Sequence, residues 1–290
     1  MKKTREMIEK HLSFVDVVCE VCDARIPVSS RNPIIDEITG NKQRILILAK
    51  SDLADEFATK DWLNFFRSQK KEIQINDAIA VNAVSGQGIK KLLSALDGIA
   101  EKKITSGAKM AEVPLRLMIA GIPNSGKSSL INRLAGRRAA QVGDRPGITR
   151  GKQWLTLEGG MQLLDTPGIL WPKFEDPAVG LNLAFCGSIR DEVMDIQDLG
   201  LELIRALMQK YPDSLISRYK VGINDFKQDP DADEALSVME DIAKKRGFVL
   251  QGARIDYERT ARTVLDEFRA GKLGRISLEC PGDKEEEKVE

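Results

Sequence analysis

Apolar residues in the first 120 positions come in short runs with few polar interruptions, each followed by a stretch of helical spacing. The runs "FVDVVCEV" (14–21), "RILILA" (44–49) and "AIAVNA" (78–83) are bounded by turn-forming or polar residues, which predicts buried strands. A helix is expected over 3–12. Residues 56–70 set Phe57, Trp62, Leu63 and Phe66 along one side of a second helix, and 88–103 predict a third. The polar, aperiodic "ITSGAKMAEVP" (104–114) reads as a linker. A new strand begins at "LRLMIAG" (115–121), with a helix over 126–136, a Gly- and Pro-containing loop over 141–151 and a hairpin over 152–168 around Gly159-Gly160. Beyond Trp171-Pro172 no further strand is expected, and residues 191–211, 215–220, 231–246 and 257–270 have helical spacing.

Strands alternating with helices, then helices alone, predict an α/β domain over 1–177 and an all-α domain over 178–280. The acidic tail 281–290 is expected to be disordered.

Composition adds limits. The 290 residues carry 44 Lys plus Arg and 44 Asp plus Glu, which excludes an overall polycation but not a local basic face. No run of about 18 apolar residues predicts a membrane span, and the charged start "MKKTREMIEK" is unlike a signal peptide. The four cysteines include the C-x-x-C pair Cys19 and Cys22. The pair lies in an apolar run with no second pair to complete a metal site, so reduced thiols of a cytosolic protein are expected.

The chemistry enters at "GIPNSGKSS" (121–129), which fits G-x-x-x-x-G-K-[ST] between a predicted strand and helix. Gly121 and Gly126 permit a tight turn that points N–H groups inward, and the helix N-terminus favours phosphate. Ser125, Gly126 and Ser129 belong to this cradle, Lys127 would reach the β- and γ-phosphates, and Ser128 offers a hydroxyl to Mg²⁺. Downstream, "DTPG" (165–168) ends an apolar strand. Asp165 there suits Mg²⁺ through water, and the Gly168 N–H suits a γ-phosphate. Thr149, in "PGIT" (146–149), is the candidate switch threonine for Mg²⁺ and γ-phosphate. Lys127, Thr149 and Gly168 are the expected catalytic set.

A guanine-reading element is missing after residue 168 but present before the phosphate loop. "RILILAKSD" (44–52) ends in a Lys-x-Asp box, and "AIAVNAVSGQGI" (78–89) follows it. Asp52 would accept from guanine N1–H and N2–H₂, the Lys50 stem would cover the base, and the N–H of Ala83 or its neighbour would meet O6. A Ras-like domain cut after its second half and rejoined through 104–114 has this order.

The order resembles circularly permuted GTPases, specifically ribosome-biogenesis GTPases of the YlqF/RbgA type. "VDVVCEVCDARIPVSSRNP" (15–33), "GIPNSGKSSLINRLAG" (121–136), "DTPGILWPKFED" (165–176), "GSIRDEV" (187–193) and "FRAGKLGRISLE" (268–279) carry the resemblance over nearly the whole chain. It implies a circularly permuted Ras-like P-loop GTPase domain followed by an all-α domain. It also implies GTP and GDP as ligands, large-subunit assembly as the task, a bacterial cytoplasm or an organelle as the setting, and stimulation by ribosomal particles. Asn124 matches an asparagine that helps hold K⁺ in related potassium-activated GTPases.

Three departures stand out. Ile169 follows "DTPG" where Ras has its water-orienting glutamine, a hydrophobic substitution the family shares, so slow intrinsic turnover is expected. Family members usually begin with Pro-Gly-His-Met before "KKTRE". Met1 aligns with that methionine, which leaves open a start placed too far downstream or a truncated chain, and the single histidine, His11, matches no motif position. Ala49 replaces the asparagine of the guanine box, which predicts weaker nucleotide binding by about 1–3 kcal/mol without a change of base.

In the helical domain, basic residues gather toward the end: Lys244, Lys245, Arg246, Arg254, Arg259, Arg262, Arg269, Lys272 and Arg275. Lys244, Lys245, Arg246, Arg269, Lys272 and Arg275 are the candidates for the phosphate backbone of ribosomal RNA. The bland alternative is a solvated face with local pairs such as Arg262 with Asp266. The partners expected are a large-subunit precursor and its RNA, with no DNA and a monomeric chain. The rival readings are an RNA-binding scaffold that scarcely hydrolyses, and an ATPase or small-molecule kinase.

Overall fold

The computed structural model describes residues 9–40, 42–105, 114–136, 154–157, 160–165, 174, 176–222 and 230–282. The chain forms two compact units, Met1–Phe174 with Glu279–Glu290, and Glu175–Leu278.

The first unit is built on a six-stranded sheet. Its strands are β1 (Val17–Asp23), β2 (Gln43–Ala49), β3 (Asp77–Val81), β4 (Arg116–Gly121), β5 (Trp154–Thr156) and β6 (Gln162–Asp165). Their spatial order is β3-β2-β1-β4-β6-β5. All pairings are parallel except β5 with β6, the hairpin expected around Gly159-Gly160. All seven residues of β1 are buried, as a strand covered on both faces requires. Val17, Cys19 and Val21 pack with Ile47 and Ile119 beneath Leu92 and Leu96 of α3 (Ile89–Thr105) and Leu130 of α4 (Lys127–Ala135). On the opposite face, Cys22, Leu46 and Leu48 pack against Trp62 and Phe66 of α2 (Glu56–Ser68). There too, Val18 and Met118 meet Ile35 of α1 (Pro33–Thr39). Each such side chain contributes about 1.5–3 kcal/mol when buried, so the two-faced core outweighs local propensity.

Cys19 and Cys22 fall in opposite cores, as strand alternation dictates. Burial pushes the Cys19 thiol up to about 12 and raises that of Cys22, so both stay protonated. One expectation for α2 is corrected. Trp62 and Phe66 are buried and stacked with ring centroids 5.3 Å apart, but Phe57 is 80 % exposed. Phe57 lies five positions before Trp62, which turns it about 140° away around the helix. The predicted strand over 14–21 lies instead at Val17–Asp23, because the chain turns at residues 13–14 after the helical residues 9–12. Two helices lacked a visible period: α1, which opens on Asn32 and Pro33, and α5 (Pro177–Phe185), which opens on Asp176 and Pro177 and is apolar on nearly every side.

The second unit holds α5, α6 (Ile196–Lys210), α7 (Pro212–Tyr219), α8 (Ala232–Arg246) and α9 (Tyr257–Arg269). The predicted 191–211 helix is a 3-10 turn at Asp191–Val193 followed by α6, whose N-terminus is capped by the Asp195 side chain. A Cβ on Gly200 would collide with Ala261, so this glycine permits α6 and α9 to approach closely. Glu267 of α9 accepts from Arg218 of α7, with Nε at 2.9 Å, and from Arg246 of α8 at 3.3 Å, joining three helices at one carboxylate. The hydrogen bonds from Arg218 hold that carboxyl below the usual range although partial burial opposes it.

The expectation of helices alone after Trp171 is also corrected. Strands β7 (Val249–Leu250) and β8 (Arg254–Ile255) form an antiparallel hairpin between α8 and α9. With two residues each they are too short to show a period. No helix among the described residues is long and apolar enough to cross a membrane.

Candidate functional site

Parallel strands place their following loops at one edge of the sheet, and here the pairings align them. Asp23 is opposite Ala49, Ala49 is opposite Val81, Val21 is opposite Gly121, and Ile119 is opposite Asp165. Loops far apart in sequence thus open into one crevice at the C-terminal ends of the strands, where open α/β sheets bind ligands. The residues singled out at 50–52, 83 and 121–129 are brought together there. Thr149 and Gly168 lie outside the described residues. Asp165 ends β6, and its side chain also lies outside the described part.

The phosphate loop runs from Gly121 into α4. A Cβ at Gly121 would strike the Val21 carbonyl oxygen, so only glycine lets the loop leave β4 this close to β1. Gly126 caps α4 in a left-handed conformation, with φ 106°, and no side chain caps the helix start. The N–H groups of the first turn therefore face the crevice with the positive end of the helix dipole. Lys127 is buried, and its Nζ donates to the Ile122 carbonyl at 2.6 Å. Ser125 is fully buried, and its Oγ has no hydrogen-bond partner. Asn124 is exposed at φ 57°, a left-handed conformation asparagine tolerates better than most residues, while Ser128 and Ser129 are exposed on the first turn of α4.

The second wall is the 49–52 turn. Lys50 has φ 56°, uncommon for a lysine, and its Nζ lies 2.9 Å from Asp23 Oδ2. Asp23 is also gripped by Arg25, through Nε at 3.0 Å and Nη2 at 2.8 Å. Burial raises the Asp23 pKa, but the Arg25 and Lys50 charges outweigh it and hold the carboxyl far below the usual range. Gly126 sits against this turn: a Cβ there would be 3.1 Å from the Ala49 Cβ and 3.8 Å from the Lys50 Cγ. Asp52 is exposed.

The third wall is the 82–88 loop. Asn82 Oδ1 accepts from the N–H groups of Val84 at 2.8 Å and Ser85 at 3.1 Å, which folds the loop around the half-buried Ala83. Arg133 of α4 donates to the Ser85 carbonyl at 3.1 Å and fastens this loop to the phosphate-loop helix. Arg133 and Asp23 were not singled out from the sequence. Asp23 lies within "VDVVCEVCDARIPVSSRNP" (15–33), but the fold alone places it beside Lys50.

The segment after Asp23 is fastened as well. Ser30 Oγ accepts from the Asp23 N–H at 2.9 Å, and the Glu279 carboxylate accepts from the N–H groups of Val28 at 2.7 Å and Ser29 at 2.9 Å.

In the second unit, Lys244, Lys245, Lys272 and Arg275 are exposed. Arg246 pairs with Glu267 and lies over the Tyr219 ring. Arg269 is engaged inward, with Nη2 2.7 Å from Asp191 and Nε donating to the Phe185 carbonyl at 3.0 Å. Arg262 pairs with Glu258 at 2.9 Å, not with Asp266, because an acid on the N-terminal side at this spacing is the better-oriented pair.

Comparison with known proteins agrees with this geometry. Residues 116–225 match the family model described as 50S ribosome-binding GTPase. The chain is 42% identical over 283 residues to ribosome biogenesis GTPase A of Bacillus cereus, covering 97% of this chain and 92% of that protein. It is 31% identical to mitochondrial ribosome-associated GTPase 1 of Bos taurus, covering 96% and 86% respectively. A GDP-bound structure of YlqF from Thermotoga maritima is similar at a TM-score of 0.64 and 30% identity, covering 96% of this chain and all of that one.

Proposed function

The chain belongs to the YlqF/RbgA family of ribosome-biogenesis GTPases, and from that premise we propose how its crevice reads and hydrolyses GTP. As a member it is a GTP-binding and GTP-hydrolysing factor of large ribosomal subunit assembly. The triphosphate lies on the phosphate loop, with its oxygens on the open N–H groups of α4 and Lys127 countering the β- and γ-phosphate charge. The guanine sits between the 49–52 turn and the 82–88 loop, with Asp52 on N1–H and N2–H₂, the Lys50 stem along the base, and the Ala83 N–H on O6. The observation that carries this reading is the meeting of Gly126 with Ala49 and Lys50, which joins a phosphate cradle to a guanine box from the other side of the 104–114 linker.

The donor set fits two cations. The Ser128 hydroxyl, exposed on the first turn of α4, is a hard oxygen ligand of the kind Mg²⁺ takes, and Thr149 and Asp165 are its proposed partners. The exposed Asn124 offers an amide oxygen suited to K⁺. When bound, the cations neutralise charge that develops on the phosphates as water attacks the γ-phosphorus and GDP leaves. Ser125, Ser129 and the Gly168 N–H complete the proposed contacts.

We further propose that the helical unit meets ribosomal RNA through Lys244, Lys245, Lys272 and Arg275. Arg246 and Arg269 are less available because Glu267 and Asp191 hold them. A bacterial cytoplasm and a monomeric chain are the proposed setting and state. Co-sedimentation with large-subunit precursors tests the reading. Binding is expected with a non-hydrolysable GTP analogue and weaker binding with GDP. Absence of binding in both nucleotide states contradicts it.

A further inference from the structure

The guanine box of this chain lacks the side chain that would tie it to its surroundings, because Ala49 offers no polar group. The backbone supplies part of the tie, with the Ala49 carbonyl accepting from the Ala24 N–H at 2.8 Å. The Ser51 N–H donates to the Val81 carbonyl at 3.3 Å, and a side-chain anchor runs from Lys50 to Asp23, at 2.9 Å. Asp23 is 1 % exposed and ends β1, the strand between the guanine box on β2 and the phosphate loop on β4. A buried carboxylate there needs one cation for charge balance, and Arg25 supplies it with two guanidinium bonds and a backbone N–H bond at 3.1 Å. Lys50 is a second cation, drawn from the turn that would read the base. Its stem passes near Gly126, where an added Cβ would lie 3.8 Å from the Lys50 Cγ. The contact between Lys50 and Asp23 ties the left-handed turn at Lys50, two residues before Asp52, to the end of β1.

We propose that Asp23 is a positioning residue for guanine recognition: by holding the Lys50 ammonium, it sets the guanine box in the place where this chain has Ala49 instead of a polar side chain. Arg25 keeps the Asp23 carboxylate aimed and balanced. The anchor persists to low pH, since both cations hold Asp23 ionised. This inference rests on the guanine site proposed above.

The test is a double-mutant cycle on the full chain, read as Kd for GDP and for ADP. Asp23→Asn is expected to weaken GDP about tenfold to a hundredfold, the loss typical of a charged hydrogen bond. Its effect on ADP is expected to be much smaller. Lys50→Met is expected to weaken GDP comparably. Asp23→Asn added to Lys50→Met is expected to change GDP affinity by no more than about twofold, because the group through which Asp23 acts is already gone. Fully additive losses would overturn the inference, as would wild-type GDP affinity in Asp23→Asn. Because Asp23→Asn leaves Arg25 buried without its carboxylate, the double variant Asp23→Asn with Arg25→Gln is measured beside it, with the urea midpoint of each. If that variant folds normally and keeps wild-type GDP affinity, the inference is wrong. Equal affinity of the unsubstituted chain for GDP and ADP would instead overturn the guanine site, and the inference with it.

Discussion

Replacing Lys127 with alanine is expected to weaken GTP and GDP by about a hundredfold to a few thousandfold and to reduce GTP turnover below detection. Lys127 is the first residue of α4 and is buried beneath the phosphate loop. Its ammonium rests on the Ile122 carbonyl, within the loop itself. A triphosphate brings about four negative charges to this helix start, and the uncapped N–H groups supply only partial charges. Removing one partner of a buried charged contact typically costs about 3–5 kcal/mol, which sets the expected range. Calorimetric titration of both nucleotides, with a urea midpoint as folding control, checks it. A loss below about threefold would place the phosphates elsewhere.

Replacing Asp52 with alanine is expected to remove the preference for guanine while leaving ATP affinity unchanged. Asp52 is exposed at the end of a turn whose lysine, Lys50, is held by Asp23, so its carboxylate is presented toward solvent. A site built to bond two N–H groups of a base loses discrimination by large factors when the acceptor goes, on the order of a thousandfold or more. Competition of GTP and ATP for the variant checks the prediction, and a retained preference would assign base reading to another group. The companion variant Ala49→Asn is expected to tighten GTP by about tenfold, since it adds one hydrogen bond beside Gly126. Weaker binding would mean that the close approach of Ala49 and Gly126 leaves the larger side chain no room.

The legible parts of this chain were those whose physics is local. Strands β1 to β4 are largely buried on both faces, so each reads as a mainly apolar run with few polar positions, such as the buried Glu20 of β1. The phosphate loop is legible because each of its positions has a separate backbone reason. The permuted order of the boxes was legible for the same reason: the boxes survive cutting and rejoining of the chain, because the sheet places their loops at one edge regardless of order.

Features that depend on packing were not legible. Phe57 has the composition of a core residue but the wrong angle, and only the sheet decides which side of α2 is inside. In α5, apolar residues on nearly all sides erase the period. The β7–β8 hairpin is too short to have one. Arg269 reads as a free cation in sequence, yet Asp191 faces it from another segment of the helical unit. The Asp23–Lys50 anchor and the Arg133 fastening of the 82–88 loop join residues from different strands and helices, so they exist only in the folded crevice.

The most direct measurement is GTP turnover by the full chain in K⁺ and in Na⁺, with and without large ribosomal subunits. Slow turnover alone, raised by the particles and more so in K⁺, is the predicted result. A rate that stays at the same baseline in all four conditions would contradict it and leave an RNA-binding scaffold.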